Sequence, residues 1–505
     1  MHRGFFAVTV PLERTAETRL IYTKQLFLGA KTTPQNGLAV LLTRSRNARS
    51  ATLGYAVELP TDRAVDRGDF ARESLVPMSR IARVTLRYTG ARAKVISVEL
   101  IDGPVPISYF APSGSSTGAW ITVTDPQGLE VFHQPLPDPF IGGEIRDVDG
   151  TMRRVKSSPR RRYASVETPW PGSGSEIAVH ARRSMPKSTK RTKAPPGTRM
   201  RQAMVSGSEI ARVPLNPDRP LKLKRPSRTR LRSRAPMMLG ESSTFPVKID
   251  DRWGHDNPHA LNLVFMPEGF SAQELDRFHA QVDEVLKLFE QTEPFSVLIR
   301  ALKVSRIEIP SEISVIGDKA GRTFFRGRFT TGGIARVIEI DQEIAAKTIN
   351  DHCKGSSARG MVVVNSLTYG GSGGAAAAFS CVPTWSAHIA MHELGHSHFM
   401  LADEYGDAGQ AATMDPVEPN VCADHRRDQL KWAHLVKDDT PLPTWRLGDP
   451  IPTMERIGAF EGGKYRASGI WRPALDCKMR RVDTLTFCAV CAEVITRELE
   501  RRLQQ

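Results

Sequence analysis

The stretch of sequence that decides the fold runs from residue 386 to residue 400 and reads SAHIAMHELGHSHFM. On a helix, residues four apart lie on one face, so the imidazoles of His392 and His396 can bind the same metal ion. Glu393 lies beside them, where its carboxylate can reach a water molecule on that ion and act as a general base. The stretch therefore predicts the helix of a catalytic zinc site.

A zinc site of this kind needs a third protein ligand, and the sequence offers two carboxylates after the helix, Asp403 and Glu404. If the helix continued straight, Asp403 would lie about 16 Å along the axis from His392, which is out of reach. The chain must therefore turn near residues 400–401 for a carboxylate to approach the ion. We choose Asp403 as the third ligand and keep Glu404 as the alternative.

Several other stretches are similar, in the same order, to one known family. These stretches are residues 262–270, 278–289, 293–295, 362–366, 369–374, 401–405, 431–432, 441–444, 465–480 and 487–491. Together with the histidine helix they resemble the IgA peptidase family of zinc metallopeptidases, which are metzincin-like enzymes. The resemblance covers roughly residues 245–500, about half of the chain.

The resemblance implies an α/β metzincin-like zinc peptidase fold for this half. It implies that His392, His396 and Asp403 bind one zinc ion, that Glu393 is the catalytic base, and that Met479 lies beneath the metal. It does not establish an antibody as the substrate of this protein.

A hydrophobic, β-branched run at residues 361–365 predicts a strand, and a glycine-rich segment follows it at 369–374. By analogy with metzincin-like enzymes, this strand would border the cleft and pair with an extended substrate, and the glycines would allow close approach. The alternative is that the glycine-rich segment is a flexible surface loop.

The first 150 residues show short alternating apolar runs separated by turn residues, for instance at 94–100. This pattern is typical of an antiparallel β-sandwich. Between residues 152 and 235, Lys and Arg outnumber Asp and Glu by 23 to 4, a surplus larger than the net charge of the whole chain, +15. Because this segment is also rich in proline and serine, it predicts a disordered basic linker.

The predicted organisation has three parts. They are an all-β sandwich-like N-terminal domain at 1–150, a basic Pro/Ser/Arg-rich linker at 151–240, and a zinc metallopeptidase catalytic domain at 241–505. The linker can contact acidic polymers or a membrane surface. We expect no specific nucleic-acid recognition, because the linker has few aromatic residues for base stacking.

All six cysteines lie between residues 353 and 491, and an even number favours disulfide bonds in an exported enzyme. The Cys488-x-x-Cys491 pair leaves a redox or metal site open as an alternative. The cysteines favour an extracellular or cell-envelope location, although the apolar run at 4–10 is short for a signal peptide.

The sequence thus predicts a zinc-dependent endopeptidase that hydrolyses protein or peptide substrates through metal-activated water, with Glu393 as general base. The alternative is a basic binding or scaffold protein for acidic polymers with a non-proteolytic metallopeptidase-like domain.

Overall fold

The computed structural model describes the larger part of the chain. Backbone and side chains are described for residues 80–109, 116–139, 161–182, 209–215, 245–316, 323–329, 337–406, 415–446, 449–453, 455–484 and 486–503. The backbone alone is described for residue 79 and for strands at 3–11, 38–43, 50–58, 144–146 and 152–154. Contacts along the chain divide it into two units, residues 1–75 and residues 76–505.

The first unit contains one antiparallel sheet of three strands. The strands are β1 (Arg3–Pro11), β2 (Leu38–Thr43) and β3 (Ser50–Glu58). Strand β3 is central and pairs with both of the others, so the spatial order is β1-β3-β2.

The second unit begins with nine strands. They are β4 (Ser79–Tyr88), β5 (Ala93–Gly103), β6 (Ser116–Thr124), β7 (Glu130–Leu136), β8 (Glu144–Arg146), β9 (Met152–Arg154), β10 (Arg162–Pro169), β11 (Glu176–Arg182) and β12 (Glu209–Pro214). One sheet has the order β10-β4-β5, and another contains β12-β11-β6 with β7 beside β6. Alternate residues of both sheets, such as Val84, Val166, Ile121 and Val179, share one buried core. The two sheets therefore face each other across one core, which is built from strands between residues 79 and 214.

The prediction of a disordered linker over 151–240 is wrong for residues 161–182 and 209–215, which form β10, β11 and β12. Most of the basic residues in this segment lie outside these strands, so the average composition concealed the alternating pattern within them. Strand β10 shows that pattern, because Ala164 and Val166 are buried in the core of the sandwich. Apart from the backbone of β9, the rest of the predicted linker lies outside the described residues.

The remaining elements build the C-terminal half. The strands are β13 (Val247–Ile249), β14 (Leu261–Glu268), β15 (Leu302–Ile307), β16 (Arg328–Phe329), β17 (Ile338–Glu339), β18 (Ala358–Val364), β19 (Gly371–Ser372), β20 (Ala376–Ser380), β21 (Asp415–Pro416), β22 (Phe460–Gly463) and β23 (Arg466–Arg472). The helices are α1 (Leu275–Gln291), α2 (Gln342–His352), α3 (Ser386–Ser397) and α4 (Ala489–Glu500), with short 3-10 helices at Ala272–Glu274, Ile299–Ala301 and Ala433–Leu435.

A mixed six-stranded sheet lies at the centre of this half, in the order β13-β15-β14-β18-β20-β19. The four inner strands are parallel, and the two edge strands, β13 and β19, are antiparallel to their neighbours. Because side chains alternate along a strand, β14 contributes Leu263 and Phe265 to the core that contains α1 and α3, and Val264 and Met266 to the core that contains α2. The helices therefore cover both faces of the sheet.

The predicted N-terminal β-rich region is present in the structure, and the part that follows it has mixed sheets and few helices. The specific likeness to metzincins stays a prediction. None of the helices in the described part of the chain combines the length and the apolar character needed to cross a bilayer.

A buried ionic network joins the sandwich to the C-terminal half. Glu167 of β10 accepts hydrogen bonds from Arg502 Nη2 at 2.9 Å and Arg501 Nη2 at 3.2 Å, and also from the hydroxyl of Ser357. Burial alone would raise the pKa of Glu167, but the two guanidinium groups hold it well below its usual range. A buried carboxylate in this setting stabilises the fold only while it is ionised and paired.

We predict that Glu167→Gln lowers the free energy of unfolding by about 3–5 kcal/mol near neutral pH, because it leaves two buried arginines without a counter-charge. Since the pKa of Glu167 is lowered on folding, its contribution is present above the unfolded-state value of about 4.3 and is lost as the pH falls below it. The difference in the free energy of unfolding between wild type and variant should therefore become smaller in acid, as measured by denaturant unfolding at several pH values.

The matched control for this experiment is Glu176→Gln, on the neighbouring strand β11. Glu176 pairs with Arg212, and both side chains are more than two fifths exposed. This substitution should change stability by less than about 1 kcal/mol. Equal losses for the two variants would contradict the role given to the buried network.

Candidate metal centre

Helix α3 places its two histidines and one glutamate against the central sheet. Ile389, Ala390, Met391 and Leu394 are buried in the core beneath the sheet, which fixes the orientation of the helix. His392 is itself 6% exposed, so its imidazole lies in a position from which bulk water is largely excluded.

The structure brings together the three residues predicted to bind the ion. His396 Nε2 lies 3.0 Å from His392 Nε2 and 3.1 Å from Asp403 Oδ1, and His392 Nε2 lies 3.2 Å from the same carboxylate oxygen. Tetrahedral bonds of 2.0–2.1 Å would separate such donors by about 3.3 Å. The donor set and its spacing therefore fit one small divalent cation.

Backbone carbonyl groups fix the tautomer of both histidines. His392 Nδ1 donates to the carbonyl oxygen of Lys478 at 2.9 Å, and His396 Nδ1 donates to that of Leu401 at 2.7 Å. Because a carbonyl only accepts, each Nδ1 carries the proton, and each Nε2 directs its lone pair at the shared point.

The turn that the sequence requires after the helix is present at Met400, whose φ of 54° lies in the left-handed region. The backbone N–H of Leu401 donates to the carbonyl of Gly395 at 3.0 Å, which closes the turn. The chain then returns along the helix end and brings Asp403 to the histidines. Glu404, the alternative ligand, lies instead in a second group of metal-binding side chains.

Two tyrosines and one asparagine that the sequence analysis did not identify hold the returning segment. The hydroxyl of Tyr465 donates to Asp403 Oδ2, and the ring of Tyr405 packs edge-on against that of Tyr465 with centroids 5.2 Å apart. Asn420 bonds to both the backbone N–H and the carbonyl of Ala402, at 2.8 and 2.9 Å. The resemblance over 401–405 and 465–480 includes both tyrosines but gives them no role, and Asn420 lies in none of its stretches.

Met479, which the resemblance implies lies beneath the metal, contacts α3 at Gly395. A Cβ added to Gly395 would lie 2.6 Å from the Met479 sulfur, so a glycine is required at this point of the helix. The side chain of Met479 is fully buried, and its backbone carbonyl accepts from the N–H of Glu404 at 2.9 Å. Met479 thus packs between the two turns that carry the histidines.

The carboxylate of Glu393 faces the glycine-rich segment. A Cβ on Gly371 would lie 2.4 Å from Glu393 Oε1, and a Cβ on Gly373 would lie 3.7 Å from Oε2. These glycines therefore allow the segment to approach the carboxylate closely. Burial raises the pKa of Glu393 above its usual value, against the effect of the nearby histidines.

The prediction that the strand at 361–365 borders the cleft is wrong. Strand β18, which contains most of these residues, pairs with β14 on one side and β20 on the other and is buried along its length. The edge strand is β19, and its outer side is already paired at Gly371 with Val337. Strand addition by a substrate stays a prediction.

The prediction of disulfide bonds is also not supported. All six cysteines lie in the described part of the chain, and all six are buried free thiols. Three of them, Cys477, Cys488 and Cys491, gather with Glu404.

His388 and His398, the other histidines of the helical stretch, lie outside the metal-binding group. His388 Nδ1 lies 2.7 Å from Lys478 Nζ, and His398 Nε2 lies 3.3 Å from Glu498 Oε1. Each therefore has a partner of its own in the surrounding structure.

The helix presents two histidines four residues apart with a glutamate between them, and a carboxylate reaches them after the chain reversal at Met400. This arrangement is typical of metal-dependent hydrolases. Comparison with protein families agrees with this geometry. The model of the family described as IgA Peptidase M64 matches residues 252–452 and 446–499. The C-terminal half of the chain belongs to this family of metallopeptidases. A peptidase acts on protein or peptide substrates. A comparison with curated proteins found no match.

We predict that Tyr465→Phe weakens zinc binding about 10–100-fold, because Asp403 would lose the hydrogen bond that orients it. The measurement is zinc affinity by competition with a chromogenic chelator. The control is Tyr163→Phe, on β10, whose hydroxyl bonds to Glu343 instead. An unchanged affinity in the Tyr465 variant would show that this hydroxyl does not orient the carboxylate.

Proposed function

We propose that this protein is a zinc-dependent endopeptidase in which Glu393 is the general base. The observation that carries the proposal is the convergence of His392, His396 and Asp403, whose donor atoms lie within 3.2 Å of one another. The ion is identified by chemistry, because two neutral imidazoles and a carboxylate form a typical ligand set of catalytic zinc with a position left for water.

The mechanism assigns one role to each group. A zinc ion at this site would lower the pKa of bound water towards ~7 and polarise the scissile carbonyl. Glu393 accepts the proton of the attacking water and passes it to the leaving amine. Its burial supports this role, since it raises the pKa of Glu393 above its usual value, which makes the carboxylate a stronger base and brings its pKa closer to neutral pH.

The positioning residues keep the ligands rigid. The carbonyls of Lys478 and Leu401 hold the imidazoles, and Tyr465 holds Asp403. We place the peptide backbone of the substrate beside Gly371 and Gly373, since these residues flank the base and leave room that a side chain would fill.

Contact of the basic segment with acidic polymers or a membrane surface, and an extracellular or cell-envelope location, remain proposals from composition. Most of the basic residues between 152 and 235 lie outside the described residues.

We predict that Glu393→Gln retains stoichiometric zinc but loses about 10²–10⁴-fold in kcat for cleavage of casein or a peptide library, because proton transfer is lost while all three ligands remain. Zinc content is measured by elemental mass spectrometry on the same samples. The control is Glu284→Gln on the exposed face of α1, which should cleave at the wild-type rate. Wild-type turnover by a fully metallated Glu393 variant would exclude this residue as the base.

We also predict that 1,10-phenanthroline abolishes cleavage, that the non-chelating 1,7 isomer does not, and that added zinc restores activity. Cleavage that persists in the chelator after zinc has been removed would rule out a metal-dependent mechanism. Salt-sensitive retention on an acidic polymer without any cleavage would favour the alternative of a binding protein.

A further inference from the structure

A second group of potential metal ligands lies behind Asp403, separate from the histidines. It consists of Glu404, Cys477, Cys488 and Cys491, whose ligand atoms all lie within 4.8 Å of one another. Three of these side chains are completely buried, and Cys488 is 8% exposed. We refer to these four residues as the cysteine cluster.

The cysteine cluster joins three segments that are distant in sequence. Glu404 follows the turn after α3, and Cys477 lies two residues before Met479. Cys488 is the residue that precedes α4, and Cys491 lies in the first turn of that helix. A group that binds all four side chains would therefore cross-link the turn, the segment beneath α3 and the start of α4.

Backbone N–H groups are directed at one of the sulfur atoms. The N–H of Met479 lies 3.5 Å from Cys477 Sγ, and the N–H of Cys488 lies 3.2 Å from the same sulfur. Hydrogen bonds of this kind favour the thiolate form over the thiol, and a thiolate is the form that binds a metal. These N–H groups could thus donate to a metal-bound Cys477 sulfur, and the N–H of Cys488 opposes the burial that raises the pKa of the free thiol.

Glu404 has an oxygen atom that lacks a partner. Its Oε1 accepts from Asn420 Nδ2 at 3.0 Å and from Cys491 Sγ at 3.0 Å. Its Oε2 is buried and has no hydrogen-bond partner among the residues that the structure describes. Leaving a buried carboxylate oxygen unsatisfied is costly, so this atom indicates a binding partner for the cluster.

We propose that the cysteine cluster binds a second zinc ion, with a structural role. Three sulfurs and one carboxylate supply the four protein ligands of a closed tetrahedral site, in contrast to the three protein ligands at the histidines. Tetrahedral Zn–S bonds of about 2.3 Å require sulfurs about 3.8 Å apart. The ligand atoms of the cluster all lie within 4.8 Å of one another, which leaves room for such a site. Thiolates select zinc over magnesium or calcium.

A disulfide accounts for the cluster less well than a metal does. Three thiols cannot all pair with one another, so one sulfur and the unpartnered Glu404 oxygen would be left buried together. The remaining three cysteines, Cys353, Cys381 and Cys422, are not members of the cluster.

The structural ion would restrict the position of Asp403, because its ligand Glu404 is the next residue in the chain. Glu404 is adjacent to Asp403 in sequence, and its backbone N–H donates to the carbonyl of Met479. By holding Glu404 against Cys477 and α4, the second ion limits the positions available to Asp403. The proposal stands on the cysteine cluster itself and does not depend on peptidase activity.

The experiment is metal analysis of the full chain purified without chelators. We expect two zinc ions per chain in the wild type and one each in Cys488→Ala/Cys491→Ala and in His392→Ala/His396→Ala. The matched control is Cys353→Ala, a buried cysteine outside the cluster, which should retain both ions. One zinc in the wild type that persists in Cys488→Ala/Cys491→Ala would overturn the proposal.

A second measurement covers the case in which the cysteine variant does not fold. The His392→Ala/His396→Ala protein keeps the cysteine cluster intact, and after exchange with cobalt it should show thiolate-to-metal charge-transfer absorption. X-ray absorption of its zinc form should show sulfur neighbours at about 2.3 Å. If the zinc has only nitrogen and oxygen neighbours, the thiols are not ligands and the site is rejected. An intact mass two hydrogens lower under non-reducing conditions would identify a disulfide and would also reject the site.

Discussion

The chain reversal at Met400 is the constraint on which the metal centre depends. Met400 has a left-handed backbone conformation, which costs an ordinary side chain free energy and must be compensated by packing. The compensation is visible in the two cores: Phe399 is buried in the core of the C-terminal half, and Met400 is buried in the core of the sandwich. Two hydrophobic cores therefore hold adjacent residues, and the backbone between helix and carboxylate has little freedom to relax. Without this reversal, Asp403, the proposed third ligand, would not reach the two histidines of α3.

The sandwich consequently contributes to the site although it supplies no ligand. Arg359 of β18 donates to His398 at the end of α3, at 3.2 Å, and also to the carbonyl of Ser165 in the sandwich. Glu167, which lies with Ser165 in β10, pairs with Arg501 and Arg502, which follow α4. These buried charges are expensive to desolvate, and an apolar interface would be at least as stable. What they provide is a single permitted arrangement of the sandwich against the end of α3, because any displacement would leave a buried charge unpaired.

Features of the site that depend on residues close together in sequence could be predicted, whereas those that depend on contacts between distant segments could not. The pairing of His392 with His396 depends only on helical periodicity, so the sequence predicted it directly. The need for a turn near Met400 followed from the rise of a helix, and it limited the third ligand to Asp403 or Glu404. The roles of Tyr465 and Asn420 could not be predicted, because both act through tertiary hydrogen bonds that no local pattern encodes. The strands at 161–182 were missed for another reason: the net charge of a long segment averages over short alternating runs. Cysteine number alone suggested disulfides, whereas the structure gathers three thiols with a carboxylate.

The segment after the turn explains how neighbouring carboxylates serve different groups. From Leu401 to Gly406 the chain is neither helical nor free, since Lys464 and Tyr465 bond to it on one side and Met479 on the other. In such an extended segment successive side chains point in opposite directions. Asp403 and Tyr405 accordingly face the histidines and Tyr465, whereas Ala402 and Glu404 face Asn420. A shift of one residue would place either Glu404 at the histidines or, in the other direction, Asp403 at the thiols, and in both cases one of the two groups would lose its carboxylate. Asn420 opposes such a shift, because it bonds to the backbone of Ala402 and to the side chain of Glu404 at once. The position of Asp403 is therefore set by contacts on the opposite face of its own segment.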